Sequence, residues 1–409
     1  MTRILSLLIS FTILVSCAVS KNVKRNKIEL SKEINTLYHK KKFNGFAVAV
    51  VDENITLYQN GFGWADAAAQ KKYTAKTVQN IGSVSKTFVG IALMKAQELG
   101  KLDLDDPIDQ YLDFKVTNPK FPEAKITVRQ LATHTSSIVD NEFYGSRNYY
   151  LKAGQDLNGM KLTFEDDQTF NASDSLISMR TYLENVLTEN GKWNKESFSE
   201  NSPGSIYEYS NVGTALAAYI IERATGQSFR DFTRQYILEP LKMKDSGWKF
   251  EEIDFSKYSR LYESPSVPLP YYELITYPDG GFITNVNDLG KYLSELIRGY
   301  NGKGKLLTDA SYKEYYKPQL SESQFTERNT KNPYNESYNV GILMGFGYTG
   351  YMGHTGGDPG TMSMLFFDPK TGLGRIMILN TNFSDKEGNK VFFEIWNALE
   401  KYQKQLIPH

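Results

Sequence analysis

The sequence contains one cysteine, Cys17, and four histidines, His39, His134, His354 and His409. A single thiol excludes a disulfide framework, and so few soft ligands make neither a metal site nor any bound cofactor expected. The charges balance, with 47 basic and 47 acidic residues, so no basic field exists to hold nucleic acid, which is not expected as a partner. The mostly apolar run Ile4 to Val15 is shorter than the roughly 20 residues a membrane-spanning helix needs. Internal repeats, low-complexity tracts and Pro/Gly-rich linkers are also missing. Their absence argues against a solenoid and against two separable domains.

What is present begins with that apolar run. It follows Arg3 and ends Leu14-Val15-Ser16-Cys17. This resembles a bacterial lipoprotein signal, in which Cys17 is lipidated and becomes the new N-terminus; a simple cleaved signal peptide is the alternative. The resemblance implies a cell-envelope protein held at a membrane by its N-terminal lipid and facing the periplasm or the surface. Loss of Arg3 with the leader leaves the basic residues one short of the 47 acidic ones.

The expected organisation is a leader over 1–17, a Lys-rich tether over 18–34 running into a helix near Leu30 to Lys42, and one domain over 35–404. Phe46 to Val51 reads as a strand, and a turn at Asp52-Glu53-Asn54 returns it through Ile55 to Tyr58 as a hairpin. Three more strands are expected at Gly350–Gly356, Thr361–Phe367 and Arg375–Asn380, then a closing helix from Gly388 to Gln403. Strands at both ends with helices between them predict an α+β fold. The two termini build one antiparallel sheet flanked by helices, beside a mostly helical middle region. Helices are expected over Pro107–Leu112, from Thr127, and over Val212–Ala224 ended by Gly226. The segment 139–200, rich in Asn, Asp, Ser and aromatics, reads as an insertion or lid in that helical region.

The stretch carrying chemistry is Asn80-Ile81-Gly82-Ser83-Val84-Ser85-Lys86, with an apolar helical run behind it to Leu99-Gly100. Residues three apart on a helix share a face, so Ser83 and Lys86 stand side by side. A serine hydroxyl needs a base before it attacks, and a buried neutral lysine can serve. The helix N-terminus favours negative charge there. Ser246-Gly247-Trp248-Lys249 repeats the spacing but has no apolar helix behind it, and it reads as surface.

Downstream, Pro203-Gly204-x-x-x-x-Tyr209-Ser210-Asn211 precedes a helix, and His354-Thr355-Gly356-Gly357 lies on an expected strand. These motifs, in this order after Ser83-x-x-Lys86, resemble those of the serine β-lactamase-like hydrolases: class C β-lactamases, D-stereospecific peptidases and related esterases. Leu131-Ala-Thr-His134-Thr-Ser136 and Pro278-Asp-Gly-Gly281 agree with it. Two decoys are set aside. Tyr58-Gln59-Asn60 falls in the hairpin, and Lys370-Thr371-Gly372 falls in a turn at the far end of a strand. His134 reads as a structural histidine.

The resemblance implies an acyl-enzyme mechanism on a small-molecule or peptide substrate. Ser83 is the nucleophile, and Lys86 and Tyr209 carry the proton, with the base left open between them. Asn211, His354, Thr355 and Gly356 orient the substrate, and the N–H groups of Ser83 and Gly357 form the oxyanion hole. Many relatives carry Lys where His354 stands, and there it holds a substrate carboxylate. A mostly neutral histidine favours uncharged esters or amides. The alternatives are a β-lactamase or D,D-peptidase, and a non-catalytic lipoprotein that binds cell-wall peptides.

Overall fold

The computed structural model describes residues 21–164, 168–326, 341–346, 350–383 and 385–408. The leader and Cys17 lie outside the described residues. Seven strands from the two ends of the chain form one antiparallel sheet. The N-terminal part supplies β1 (Gly45–Val51), β2 (Thr56–Asp66) and β3 (Lys71–Lys72). The C-terminal part supplies β4 (Gly345–Phe346), β5 (Met352–Asp358), β6 (Thr361–Asp368) and β7 (Leu373–Leu379). Their order is β4-β5-β6-β7-β1-β2-β3. The two termini join where Val48 of β1 stands opposite Met377 of β7. The first turn forms because the Asp52 side chain accepts from the N–H groups of Asn54 and Ile55, at 2.7 and 2.8 Å.

Every residue of β1 is buried, because the sheet is covered on both faces. Alternation divides the strand between two cores. Ala47, Ala49 and Val51 face the helical region. Phe46, Val48 and Val50 face the terminal helices α1 (21–38) and α5 (Lys386–Gln403), where they meet Leu30, Ile34, Val391, Ile395 and Leu399. The helix expected from about Leu30 to Lys42 therefore starts earlier and ends earlier. It takes in most of the stretch 18–34 read as a tether. Leu30 and Ile34, one turn apart, anchor it to the sheet, and Lys401 ties it to α5 through Glu33 at 2.7 Å.

The middle region is built on α2 (Lys86–Glu98), α3 (Asn211–Thr225) and α4 (Val286–Tyr300). The run Lys86 to Met94 of α2 is buried without a break, as befits a helix packed on all sides. α3 ends at Gly226 with φ of 72°, the left-handed cap its glycine allows. The helix expected over Pro107–Leu112 is one short 3₁₀ turn, Ile108–Gln110. The 139–200 segment carries the helices Glu142–Arg147 and Met179–Leu187. Tyr182, Leu183, Val186 and Leu187 sink into the main core, and Tyr149–Leu151 pairs with Tyr272–Leu274. Its Tyr144 hydroxyl donates to Asp279 Oδ1 at 2.9 Å, and the Asp279 carbonyl accepts from Lys86 at the start of α2.

Candidate active site

Ser83 sits in a 3₁₀ turn, Gly82–Ser85, that runs directly into α2. The sequence placed it at the first turn of the α-helix itself. The tighter turn matters, because residues three apart eclipse in a 3₁₀ helix. Lys86 Nζ lies 3.0 Å from Ser83 Oγ. The turn is held by close backbone contact with β5. Gly82 has φ of +53°, and a Cβ there would come 2.6 Å from the Gly357 nitrogen; one on Gly356 would come 2.1 Å from the Ile81 oxygen. Only glycine fits at either position. Ser363 Oγ, on β6, fixes the same strand crossing by donating to the Ile81 carbonyl at 2.6 Å.

Ser83 keeps some accessible surface, whereas Lys86 has 0%. Nζ has two further neighbours, Asn211 Oδ1 at 2.6 Å and the Asp279 carbonyl at 2.8 Å. Both can only accept. A neutral amine has two N–H bonds and one lone pair. In that form Asn211 and Asp279 would take both N–H bonds and leave the lone pair for the Ser83 hydroxyl, whereas the charged form donates to Ser83 Oγ as well. Burial pushes Lys86 below the ordinary lysine range, against the opposing pull of the Asp279, Asp140 and Asp358 carboxyls.

Asp140 is the residue that the sequence reading passed over, although it lies four places after Ser136. Its carboxyl accepts from the N–H groups of Asn211 and Val212 at 3.0 and 2.9 Å, from Asn211 Nδ2 at 2.7 Å and from Ser210 Oγ at 3.2 Å. It thus turns the Asn211 amide so that Oδ1 faces Lys86. Burial raises its pKa, and the Val212 and Asn211 N–H groups pull it back. Asp140→Ala leaves several donors at the start of α3 without an acceptor, at about 1–3 kcal/mol each. A stability loss on the order of 3 kcal/mol is expected in thermal melts; a shift under about 1 °C would contradict this role.

Tyr209 stands over Lys86, with its ring centroid 5.0 Å from Nζ. His134 lies against it at 4.5 Å between ring centroids. His134 Nδ1 accepts from the Ser210 N–H at 3.2 Å, and its carbonyl accepts from Glu208 at 2.7 Å. It is a strut for the loop that carries Tyr209. His354 lies 6.2 Å from Tyr209 between ring centroids. It is 3% exposed, so its ring backs the site and does not line the opening. Burial and the Lys86 charge hold its pKa down at about 3, which keeps the imidazole neutral near pH 7. Thr355 is half-buried and Gly357 is exposed, and a Cβ on Gly357 would meet nothing within 4 Å. The structure thus brings Ser83, Lys86, Tyr209, Asn211 and the His354–Gly357 strand together.

The decoys fall elsewhere. Lys370-Thr371-Gly372 is in the turn from β6 to β7, where Thr371 Oγ1 donates to Asp368 at 2.9 Å. Tyr58 lies in β2, its hydroxyl against Ser31 Oγ at 2.8 Å. Ser246 is not on the surface as its sequence context suggested. It is 7% exposed and bonded to Thr284 Oγ1 and Asp288 Oδ2 at 2.7 and 3.0 Å. The burial follows from Trp248, two residues on, which packs among Phe88, Phe229 and Phe282.

A family model described as Beta-lactamase matches residues 30–400. The human serine beta-lactamase-like protein LACTB, mitochondrial, is 27% identical over 387 residues, covering 80% of this chain and 69% of that protein. Among solved structures, D-amino acid amidase from Ochrobactrum anthropi SV3 in complex with L-phenylalanine amide superposes with a TM-score of 0.66 at 21% identity, covering 92% of this chain and 99% of that one. A Beta-Lactamase/D-Alanine Carboxypeptidase from Pseudomonas syringae gives 0.62 at 16% identity, covering 90% and 99%. These two likenesses concern the fold.

Proposed function

This chain belongs to the Beta-lactamase family, a family of serine hydrolases, and on that premise we propose that Ser83 carries an acyl-enzyme formed from a small ester, amide or peptide. The observation that carries the reading is the 3.0 Å contact of Ser83 Oγ with a fully buried Lys86 Nζ. In acylation, Ser83 Oγ bonds to the substrate carbonyl carbon as its proton passes to Lys86. The developing oxyanion rests on the N–H groups of Ser83 and Gly357, each such donor contributing roughly 3 kcal/mol in comparable sites. Tyr209 relays the proton to the leaving alcohol or amine, and that carbon–heteroatom bond breaks. Water then repeats the attack, the acid leaves, and the Ser83 hydroxyl is restored. Asn211 holds Lys86 in place, and Thr355 and Gly356 align the substrate along β5.

The two solved structures are those of an amidase and of a beta-lactamase/carboxypeptidase. Of these chemistries, ester or amide hydrolysis fits best here, because His354 supplies no fixed cation for a substrate carboxylate. The sequence Leu14-Val15-Ser16-Cys17 supports attachment to a bacterial envelope through a lipidated Cys17. Among the described residues no helix is long and apolar enough to cross a membrane. A purely binding role is less well supported, since every residue of the acyl-transfer set is retained.

The test compares kcat/KM for a short p-nitrophenyl ester and a chromogenic cephalosporin. The ester should be preferred by about 100-fold, and His354→Lys should narrow that gap by up to about tenfold, because a buried cation acts strongly across a dry site. Cephalosporin turnover equal to or above ester turnover in the wild type would return the chain to the β-lactamase reading.

A further inference from the structure

Three carboxyls stand around Lys86, those of Asp279, Asp140 and Asp358. Asp140 is occupied by its donors at the start of α3. The other two take no part in the acyl transfer proposed above, yet both belong to the elements that build it. Asp279 lies in the short helix Tyr277–Gly280 and gives its carbonyl to Lys86. Asp358 follows Gly357 at the end of β5. The two share one wall, since a Cβ on Gly280 would come 2.7 Å from Asp358 Oδ2.

Each of these carboxyls receives one tyrosine hydroxyl. Tyr144 donates to Asp279 Oδ1 and Tyr149 to Asp358 Oδ1, both at 2.9 Å. Asp279 is 1% exposed, and its Oδ2 has no hydrogen-bond partner among the described residues. The Thr276 hydroxyl is near enough to favour the ionised carboxyl but lies outside hydrogen-bond geometry. Surrounding protein raises Asp279 to about 7 and Asp358 to about 8, while Asp358 keeps accessible surface. Asp358 therefore gives the wall its accessible face, and Asp279 is buried behind it. Lys86 is the basic group acting on both carboxyls, but burial weakens its hold on a proton, and His134 and His354 are held neutral beside it. The wall therefore holds more acid than its own base can balance. Buried carboxyls in that condition gain most from an arriving positive charge.

We propose that the wall formed by Asp279 and Asp358 receives a protonated amine of the substrate, so that the preferred acyl donors are amino-acid esters or amides with a free amino group. This rests on Ser83 being the nucleophile. The position fits, because Asp358 adjoins the proposed oxyanion donor Gly357, and an α-ammonium lies one carbon from the scissile carbonyl. An arriving ammonium draws both acids into their ionised form and displaces their protons.

The test compares alanine p-nitroanilide, in D and L forms, with its N-acetyl counterpart at pH 7. In the preferred enantiomer the free amine should lead in kcat/KM by about tenfold or more, and that ratio should collapse by about tenfold in Asp358→Asn and in Asp279→Asn. Benzylamine should compete with ester hydrolysis by the wild-type protein about tenfold better than benzyl alcohol of the same shape, which needs no folded variant. A fluorophosphonate probe separates the two layers of the argument. Ser83 labelled, with the N-acetyl substrate equal or preferred and benzylamine inert, would overturn the acidic-wall proposal alone. An unlabelled Ser83 would overturn the wall and the catalytic reading together. Activation by millimolar Mg²⁺ or Ca²⁺ that Asp358→Asn abolishes would assign the wall to a metal ion and overturn the proposal.

Discussion

Replacing Ser83 with alanine is expected to lower kcat for the best ester substrate by several orders of magnitude, towards the roughly 10⁶-fold loss seen when a nucleophile is removed from another serine hydrolase. The hydroxyl cannot be replaced by its neighbours. Ser85 is turned away, its Oγ donating to the Gly82 carbonyl at 2.7 Å and accepting from the Phe282 N–H at 3.1 Å. Ser246 gives the matching contrast. Ser246→Ala removes contacts to Thr284 and Asp288 from a buried site, so it should lower the melting temperature by an amount corresponding to about 1–3 kcal/mol. Its ester kinetics should stay near those of the wild type. Ser83→Ala should do the reverse, losing turnover while melting normally. Wild-type ester turnover in Ser83→Ala would remove the nucleophile assignment.

Lys86→Gln is expected to give the second largest loss, about 10²–10⁴-fold in kcat, the range that a positioned general base contributes. Glutamine can still donate to Asn211 or to the Asp279 carbonyl, but it has no lone pair basic enough to take the Ser83 proton. Tyr209→Phe should cost less in the acylation step. On the proposed role the phenol works on the leaving group, and its effect should then grow as the leaving group becomes more basic. Matched esters and amides read this directly, since an amine leaving group needs a proton and p-nitrophenolate does not. If Lys86→Gln retained more than about a tenth of wild-type kcat, the base would lie elsewhere, with Tyr209 the next candidate.

The sheet and the three motifs could be read from the sequence because their signals are local. Phe46 to Val51 is apolar throughout since β1 is covered on both faces, and the glycines at 82 and 356 mark a backbone crossing that admits nothing larger. Ser83 and Lys86 lie in one turn, so their contact follows from spacing alone. Asp140, Asp279 and Asp358 could not be found that way. Each adjoins a recognisable motif, but its meaning depends on a partner 71, 193 or 209 residues away in the chain. Tyr144 and Tyr149 sit in an aromatic segment without clear periodicity, and only the pairing with Tyr272–Leu274 brings them to the cleft. Ser246 misled for a related reason. A short stretch with no apolar helix behind it reads as surface, while the burial of Trp248 comes from residues of three other segments. The early start of α1 is hidden for the same reason, because its anchoring residues meet a C-terminal helix that is remote in sequence.

The most direct test is to find where the acyl group goes. A brief reaction of the wild-type protein with a p-nitrophenyl ester, quenched in acid, can be followed by intact-mass and peptide mapping. The expected result is one acyl mass per chain, on the peptide that contains Ser83, absent from Ser83→Ala and lost again as turnover proceeds. An acyl group on any other residue during ester turnover, with Ser83 unmodified, would contradict the assignment at its centre.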